Sequence, residues 1–141
     1  LRRNIERNNL GARVETHPMA MTGEEGVRHM DVNAGPSQSR GMLQTGTKTG
    51  LEVRTTTLAR FLTESRLDDI DLMKMDIEGS EHEVIPSTAP EILRHIRRIA
   101  LEYHPNQPKR PLLDYIQAAG YRLTADVLMG ADSGVASFER V

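Results

Sequence analysis

The chain has 141 residues, a length that suits one domain with a sizeable core. Its formal charge is -2, from 18 basic and 20 acidic residues scattered along the sequence, so there is no basic footprint for nucleic acid or for an acidic membrane surface. It contains no cysteine, which excludes disulfides and thiolate metal sites and fits a reducing cytoplasm, and no apolar run approaches the length of a membrane span.

The first segment, "LRRNIERNNLG", places Leu1 and Ile5 four apart with Gly11 as a stop, the pattern of a helix tail. A chain that opens at Leu1 already inside a helix reads as a fragment, with any targeting segment upstream out of view. In "ARVETHPMAM" the alternation of Ala12, Val14 and Thr16 before Pro18 predicts a strand ending in a turn. Residues 22–50 hold six of the eleven glycines and little periodicity, which predicts a long loop with room for short strands. Loops of that length are usually functional or mobile.

Order then returns. "LEVRTTTL" is extended, and "TLARFLTESRL" sets Leu58, Phe61 and Leu62 on one helical face with Thr57 as N-cap. The nearly continuous apolar run Ile70–Met75 reads as a strand covered on both faces. "APEILRHIRR" has Pro90 at a helix start and Ile92, Leu93 and Ile96 on one side. "RIALEYH" is a further strand. "RPLLDYIQAAGY" turns Leu112, Leu113 and Ile116 inward and stops at Gly120. "YRLTAD" and "GVASFERV" close the chain as two strands whose connection is too short for a helical crossover, so they should pair antiparallel. The whole predicts an α/β domain with a mainly parallel sheet and an antiparallel C-terminal strand pair.

Ligands of open α/β sheets sit outside the carboxyl ends of the strands. Asp76 and Glu78 lie where the strand Ile70–Met75 runs out, His104 lies at the equivalent place after Ile99–Tyr103, and Gly79 permits a sharp turn or a close ligand approach. The plain structural alternative is that Asp76 is a turn residue, while Glu81, His82 and Glu83 belong to the solvated start of a helix, where carboxylates suit the macrodipole. His17, His29 and His95 have no partner at metal-ligand spacing and read as structural or surface residues. "GMLQTGTKT" imitates a phosphate-binding loop, but that motif needs Lys directly after its second Gly, and here Thr47 intervenes. Asp76, Glu78 and Glu81 together could hold a hard cation through their oxygens, although nothing in their spacing fixes a geometry, and no metal ligand is assigned.

"VRTTTLARFL", "IDLMKMDIEGSEHEVI", "IRRIALEYHP" and "LLDYIQAAGY", in that order, resemble the FkbM family of methyltransferases, and "LRRNIERNNLGARVETHPMAM" resembles the helix and third strand of the same family. The resemblance implies a partial Rossmann-like, class I methyltransferase fold and S-adenosylmethionine as cofactor. It covers nearly the whole chain, with residues 22–50 the weakest part, so residues 1–141 read as a single, truncated methyltransferase domain. The glycine-rich loop that cradles the methionine part of the cofactor, and the acidic strand end that holds its ribose, have no counterpart in these residues. In the family those two strands stand at the centre of the sheet, so Ala12–Thr16 would lack its usual neighbour and could pair directly with Leu72–Met75.

The resemblance further implies that Met19, Ala20 and Met21 flank the adenine, that Asp76, Glu78 and Gly79 stand beside the transferred methyl, and that His104 lies on the substrate side. Asp76 and His104 are then candidate general bases for a hydroxyl acceptor, and Glu78 orients the substrate or binds an optional cation. The acceptor would be a small molecule or sugar, with residues 22–50 and "HPNQPKR" as walls of its pocket. Two other readings remain: a truncated, non-catalytic relative serving as an interaction module or having no function, and, more distantly, a cation-binding module.

Overall fold

A computed structural model describes residues 1–30, 43–44, 50–105, 107–130 and 133–141. The elements in chain order are α1 (Arg2–Arg7), β1 (Ala20–Met21), β2 (Gly26–Met30), β3 (Leu43–Gln44), β4 (Leu51–Thr56), α2 (Leu58–Ser65), β5 (Met73–Met75), α3 (Glu81–Ser87), α4 (Pro90–Leu93), β6 (Arg98–Tyr103), α5 (Lys109–Ala118), β7 (Tyr121–Leu128) and β8 (Gly134–Arg140). They form two four-stranded sheets, ordered β1-β4-β2-β3 and β5-β6-β8-β7.

The expected α/β class holds, but the mainly parallel sheet does not. Among the described residues only β1–β4 and β5–β6 pair in parallel, while β2–β3, β2–β4, β6–β8 and β7–β8 are antiparallel. The reason is connectivity. A parallel neighbour needs a long crossover, and α3 and α4 supply one between β5 and β6. Among the described residues of 22–50 lie two short strands of the kind the sequence left room for, β2 and β3, and β2 pairs antiparallel with both β3 and β4. The C-terminal pair is antiparallel as expected, and β8 inserts between β6 and β7.

Three local expectations are also corrected. Ala12–Thr16 is not a strand: the chain extends into β1 only after Pro18, at Ala20–Met21, and pairs with Thr55 and Thr56 rather than with β5. Alternation without a ladder partner leaves backbone groups to water, and Val14 is exposed. The run Ile70–Met75 contracts to the three residues of β5, with Ile70 joined to Ile96 by an isolated bridge; Leu72 and Lys74 are exposed, so this strand is not covered on both faces. α1 gives way at Asn8 and turns at Asn9, which takes the left-handed conformation, ahead of Gly11. The rest of the phosphate-loop-like stretch, 41–49, lies outside the described residues apart from Leu43 and Gln44.

The remaining helices follow their sequence signals. The Thr57 side chain accepts the Arg60 N–H at 3.2 Å and caps α2, which buries Leu58 and Leu62. α5 buries Leu112, Leu113 and Ile116 and ends before Gly120, whose φ of 97° suits a residue without a β-carbon. On β6, Ile99, Leu101 and Tyr103 point into the core beside Ala136 and Phe138 of β8. Each such fully buried large side chain contributes about 2–3 kcal/mol of hydrophobic stabilisation. The opposite face of β6 carries Glu102, half-buried, and that face leads to the site.

Candidate functional site

β5 and β6 run in parallel with Met75 opposite Leu101, so the chain leaving β5 puts Asp76 beside Glu102. Side chains alternate along a strand, so Glu102 and His104 share the face turned away from the core. Oxygen or nitrogen atoms of Asp76, Glu102 and His104 lie within 4.8 Å of one another. A cation could bridge atoms at that spacing, but the cluster already has a positive partner. Lys74 Nζ stands 2.8 Å from Asp76 Oδ2, and its pKa is raised by that hydrogen bond first and by the charges of Asp76 and Glu102.

After Asp76 the backbone turns through Glu78 and Gly79, both with positive φ, 56° and 100°. A non-glycine residue in the left-handed region costs about 1–2 kcal/mol, and here the turn is held from within. The Glu81 carboxylate is fully buried; Oε1 accepts the Ile77 N–H at 2.7 Å and Oε2 the Gly79 N–H at 2.8 Å. Glu81 does open α3, but it is no solvated helix residue: it braces the turn that aims Asp76 and Glu78. Gly79 is itself buried and serves that turn.

His104 sits between two carboxylates. Its Nε2 lies 3.6 Å from Glu78 Oε2 and its Nδ1 lies 3.6 Å from Glu81 Oε2. The exit of β6 just before it is anchored by Tyr103, whose hydroxyl donates to Asp126 Oδ1 at 2.7 Å and accepts from Lys109 Nζ at 3.0 Å. Lys109 also donates to Asp126 Oδ2 at 2.7 Å, so three elements meet at one point. The Lys109 hydrogen bond, followed by that of Tyr103, holds the Asp126 carboxyl below its ordinary pKa, while burial pushes the Tyr103 hydroxyl up. His82, on α3, is pushed below the ordinary imidazole value by burial, with the Glu81 charge opposing and the nearby His104 reinforcing.

Beside this cluster opens a cavity of about 480 Å³. Met19, Ala20 and Met21 line it together with Phe61, Ile77 and Glu78. Asp76 and Gly79 are not among its lining residues. His17, read from the sequence as structural or surface, lines the cavity, and its ring meets Phe61 edge to face at 5.0 Å. His95, read as structural or surface, holds its Nδ1 2.9 Å from the Asp68 carbonyl.

The structure thus brings together Asp76, Glu78 and His104 from two strand ends, with Met19–Met21, at and just before β1, lining the cavity that Glu78 shares. Sequence reasoning missed Glu102 and Phe61. Strand parity could have found Glu102, which is two residues before His104 in "LEYH"; Phe61 was assigned to the core face of α2, and nothing in the spacing marks it as a pocket wall. Among the described residues no helix is long and apolar enough to cross a membrane. A family model described as "Methyltransferase FkbM domain" matches residues 2–123. No curated protein and no solved structure gives a match.

Proposed function

The chain belongs to the FkbM methyltransferase family, and we propose that it serves S-adenosylmethionine-dependent methylation of a hydroxyl on a small molecule or sugar. The observation that carries this reading is the position of Glu78. It lines the apolar cavity and, at its Oε2, approaches His104 of the titratable cluster. A pocket for a flat, apolar group and a proton-accepting centre therefore share one residue.

The cavity suits the adenine end of the cofactor. Methionine side chains are polarizable and adapt to ring edges and faces, and Met19 and Met21 stand there with Ala20, Ile77 and the Phe61 ring. Bound S-adenosylmethionine would supply an electrophilic methyl carbon. A hydroxyl is a weak nucleophile while it keeps its proton, so a base within hydrogen-bond reach assists. His104 and Asp76 are the bases of this site, and Glu102 adds negative charge beside them. The Lys74 ammonium keeps Asp76 paired in the resting site. Glu78, with about half of its side chain exposed, is free to hold a second hydroxyl of the acceptor. The rest of the protein's task is alignment, since effective catalysis requires reacting atoms held close and in line.

Calorimetric titration with S-adenosylmethionine tests this reading, using the 141-residue chain and a chain extended upstream by a glycine-rich strand and turn. Saturable binding to either that Met21→Asp weakens supports it. Binding by neither would overturn it and favour a non-catalytic relative.

A further inference from the structure

We propose that Glu81 is a positioning residue that fixes the proton of neutral His104 on Nδ1, leaving Nε2 as the lone-pair nitrogen that faces the acceptor. The catalytic use of that lone pair rests on the function proposed above; the tautomer itself does not.

A neutral imidazole carries one N–H, and its neighbours decide which nitrogen holds it. Both ring nitrogens of His104 have a carboxylate oxygen at 3.6 Å, so distance alone does not choose. Enclosure does. The His104 side chain keeps 18 % of its surface exposed, yet Nδ1 is shut off from solvent and has no hydrogen-bond partner among the described residues. The carboxylate facing Nδ1 is completely buried and held in place by the Ile77 and Gly79 N–H groups. The Glu78 carboxylate facing Nε2 is 47 % exposed and can turn to water.

Two arrangements of the neutral ring follow. With the proton on Nε2, the Nδ1 lone pair would be buried without a donor and would face a fixed carboxylate at close range, which is repulsive in a poorly screened interior. With the proton on Nδ1, a buried donor faces a buried acceptor, and the lone pair lies on the side where water, or an acceptor hydroxyl, can reach it. A separation of 3.6 Å is longer than a hydrogen bond, and contacts of this kind commonly tighten when substrate binds. Other charged or titratable groups also face the ring. Asp76 and Glu102 each bring a carboxylate oxygen within 4.8 Å of a ring nitrogen, and Lys74 pairs with Asp76 at 2.8 Å. His82 has a lowered pKa, to which His104 contributes.

The arrangement gives the buried carboxylate two roles. The same Oε2 that braces the turn at Gly79 orients the imidazole of the neighbouring strand. With a sulfonium methyl donor bound, the acceptor oxygen would form its bond to carbon as the methyl–sulfur bond breaks, that electron pair leaving on sulfur as a neutral thioether, and the O–H proton would pass to Nε2 of His104.

The test is spectroscopic and needs neither cofactor nor acceptor. Long-range proton–nitrogen spectra of the chain labelled in its histidine rings, recorded about two pH units above the ordinary imidazole pKa, report which nitrogen bears the proton. The signal lost in His104→Gln identifies the residue. The expected spectrum shows a protonated Nδ1 and an unprotonated Nε2 in the unsubstituted chain and in Glu78→Gln, with the preference lost in Glu81→Gln. A proton on Nε2, or an even mixture of tautomers, in the unsubstituted chain overturns the proposal. If Glu81→Gln fails to fold by circular dichroism, the other two spectra still decide. Failure of cofactor binding with the Nδ1–H tautomer intact would count against the proposed function alone.

Discussion

Arg28 on β2 reaches Glu83 on α3 through two hydrogen bonds, Nη1 to Oε1 at 2.6 Å and Nη2 to Oε2 at 3.1 Å, and so ties the first sheet to a helix packed against the second. The guanidinium is nine-tenths buried, and the Glu83 hydrogen bond raises its pKa against the opposing effect of burial. Removing the acid would leave an enclosed charge whose remaining carboxylate contact among the described residues is the longer one to Glu24 at 3.5 Å. Because Glu83 is partly exposed, the loss is smaller than for a fully buried pair: Glu83→Gln should destabilise the fold by about 2 kcal/mol in urea unfolding. A change under about 0.5 kcal/mol would mean that water replaces the tie without cost.

Glu81 presents a stronger case because it has no exposure. Glu81→Ala strips acceptors from two N–H groups near the turn at Glu78 and Gly79, with an expected cost of about 3 kcal/mol or more. Amide hydrogen exchange should show the loss first at Ile77 and Gly79. Unchanged protection at those two amides would contradict the brace.

Gly134 lies opposite Tyr103, and a β-carbon there would overlap the Tyr103 hydroxyl and the Val127 carbonyl. Gly134→Ala must therefore displace the Tyr103–Asp126–Lys109 contact or the strand, at a cost of about 3 kcal/mol. Thermal unfolding checks the magnitude. A variant as stable as the parent would show that β7 and β8 separate easily at this point.

His82 predicts a pH effect with a definite sign. Its folded pKa is lowered, chiefly by burial, so the unfolded chain binds its proton more readily. The stabilising contribution is present above the unfolded value of about 6.5 and is lost as pH falls through the lowered folded value. Urea midpoints should drop on acidification through that window, and His82→Leu should flatten this part of the profile. An unchanged slope in the variant would assign the drop to other groups.

Met21→Asp places a charge in the wall of the apolar cavity. It should raise the Kd for S-adenosylmethionine about tenfold or more while the far-ultraviolet circular dichroism stays unchanged. Equal affinity would move the cofactor's adenine away from Met19–Met21.

Much of this protein was legible from local pattern. Thr57 before an apolar stripe, Pro90 at a helix start, Gly120 after α5 and the short connection between β7 and β8 each act through neighbours a few residues away, so the chain's own spacing determines them. The strand ends that carry Asp76 and His104 were legible for the same reason, as was the likeness carried by "KMDIEGSE" and "LEYH". Pairing depends instead on partners distant in sequence. Ala12–Thr16 alternates properly yet finds no ladder, β2 pairs antiparallel with β4, and the balance of parallel and antiparallel strands depends on such partners. Burial of charge was equally beyond local reading. Glu81 and Glu83 are two residues apart in one acidic run, yet the fold encloses Glu81 beneath Gly79 and His104 and turns Glu83 toward Arg28. Sequence by itself determined which residue types stand at the strand ends; only tertiary structure decided which carboxylate lost its water, because desolvation is set by everything that packs around a group.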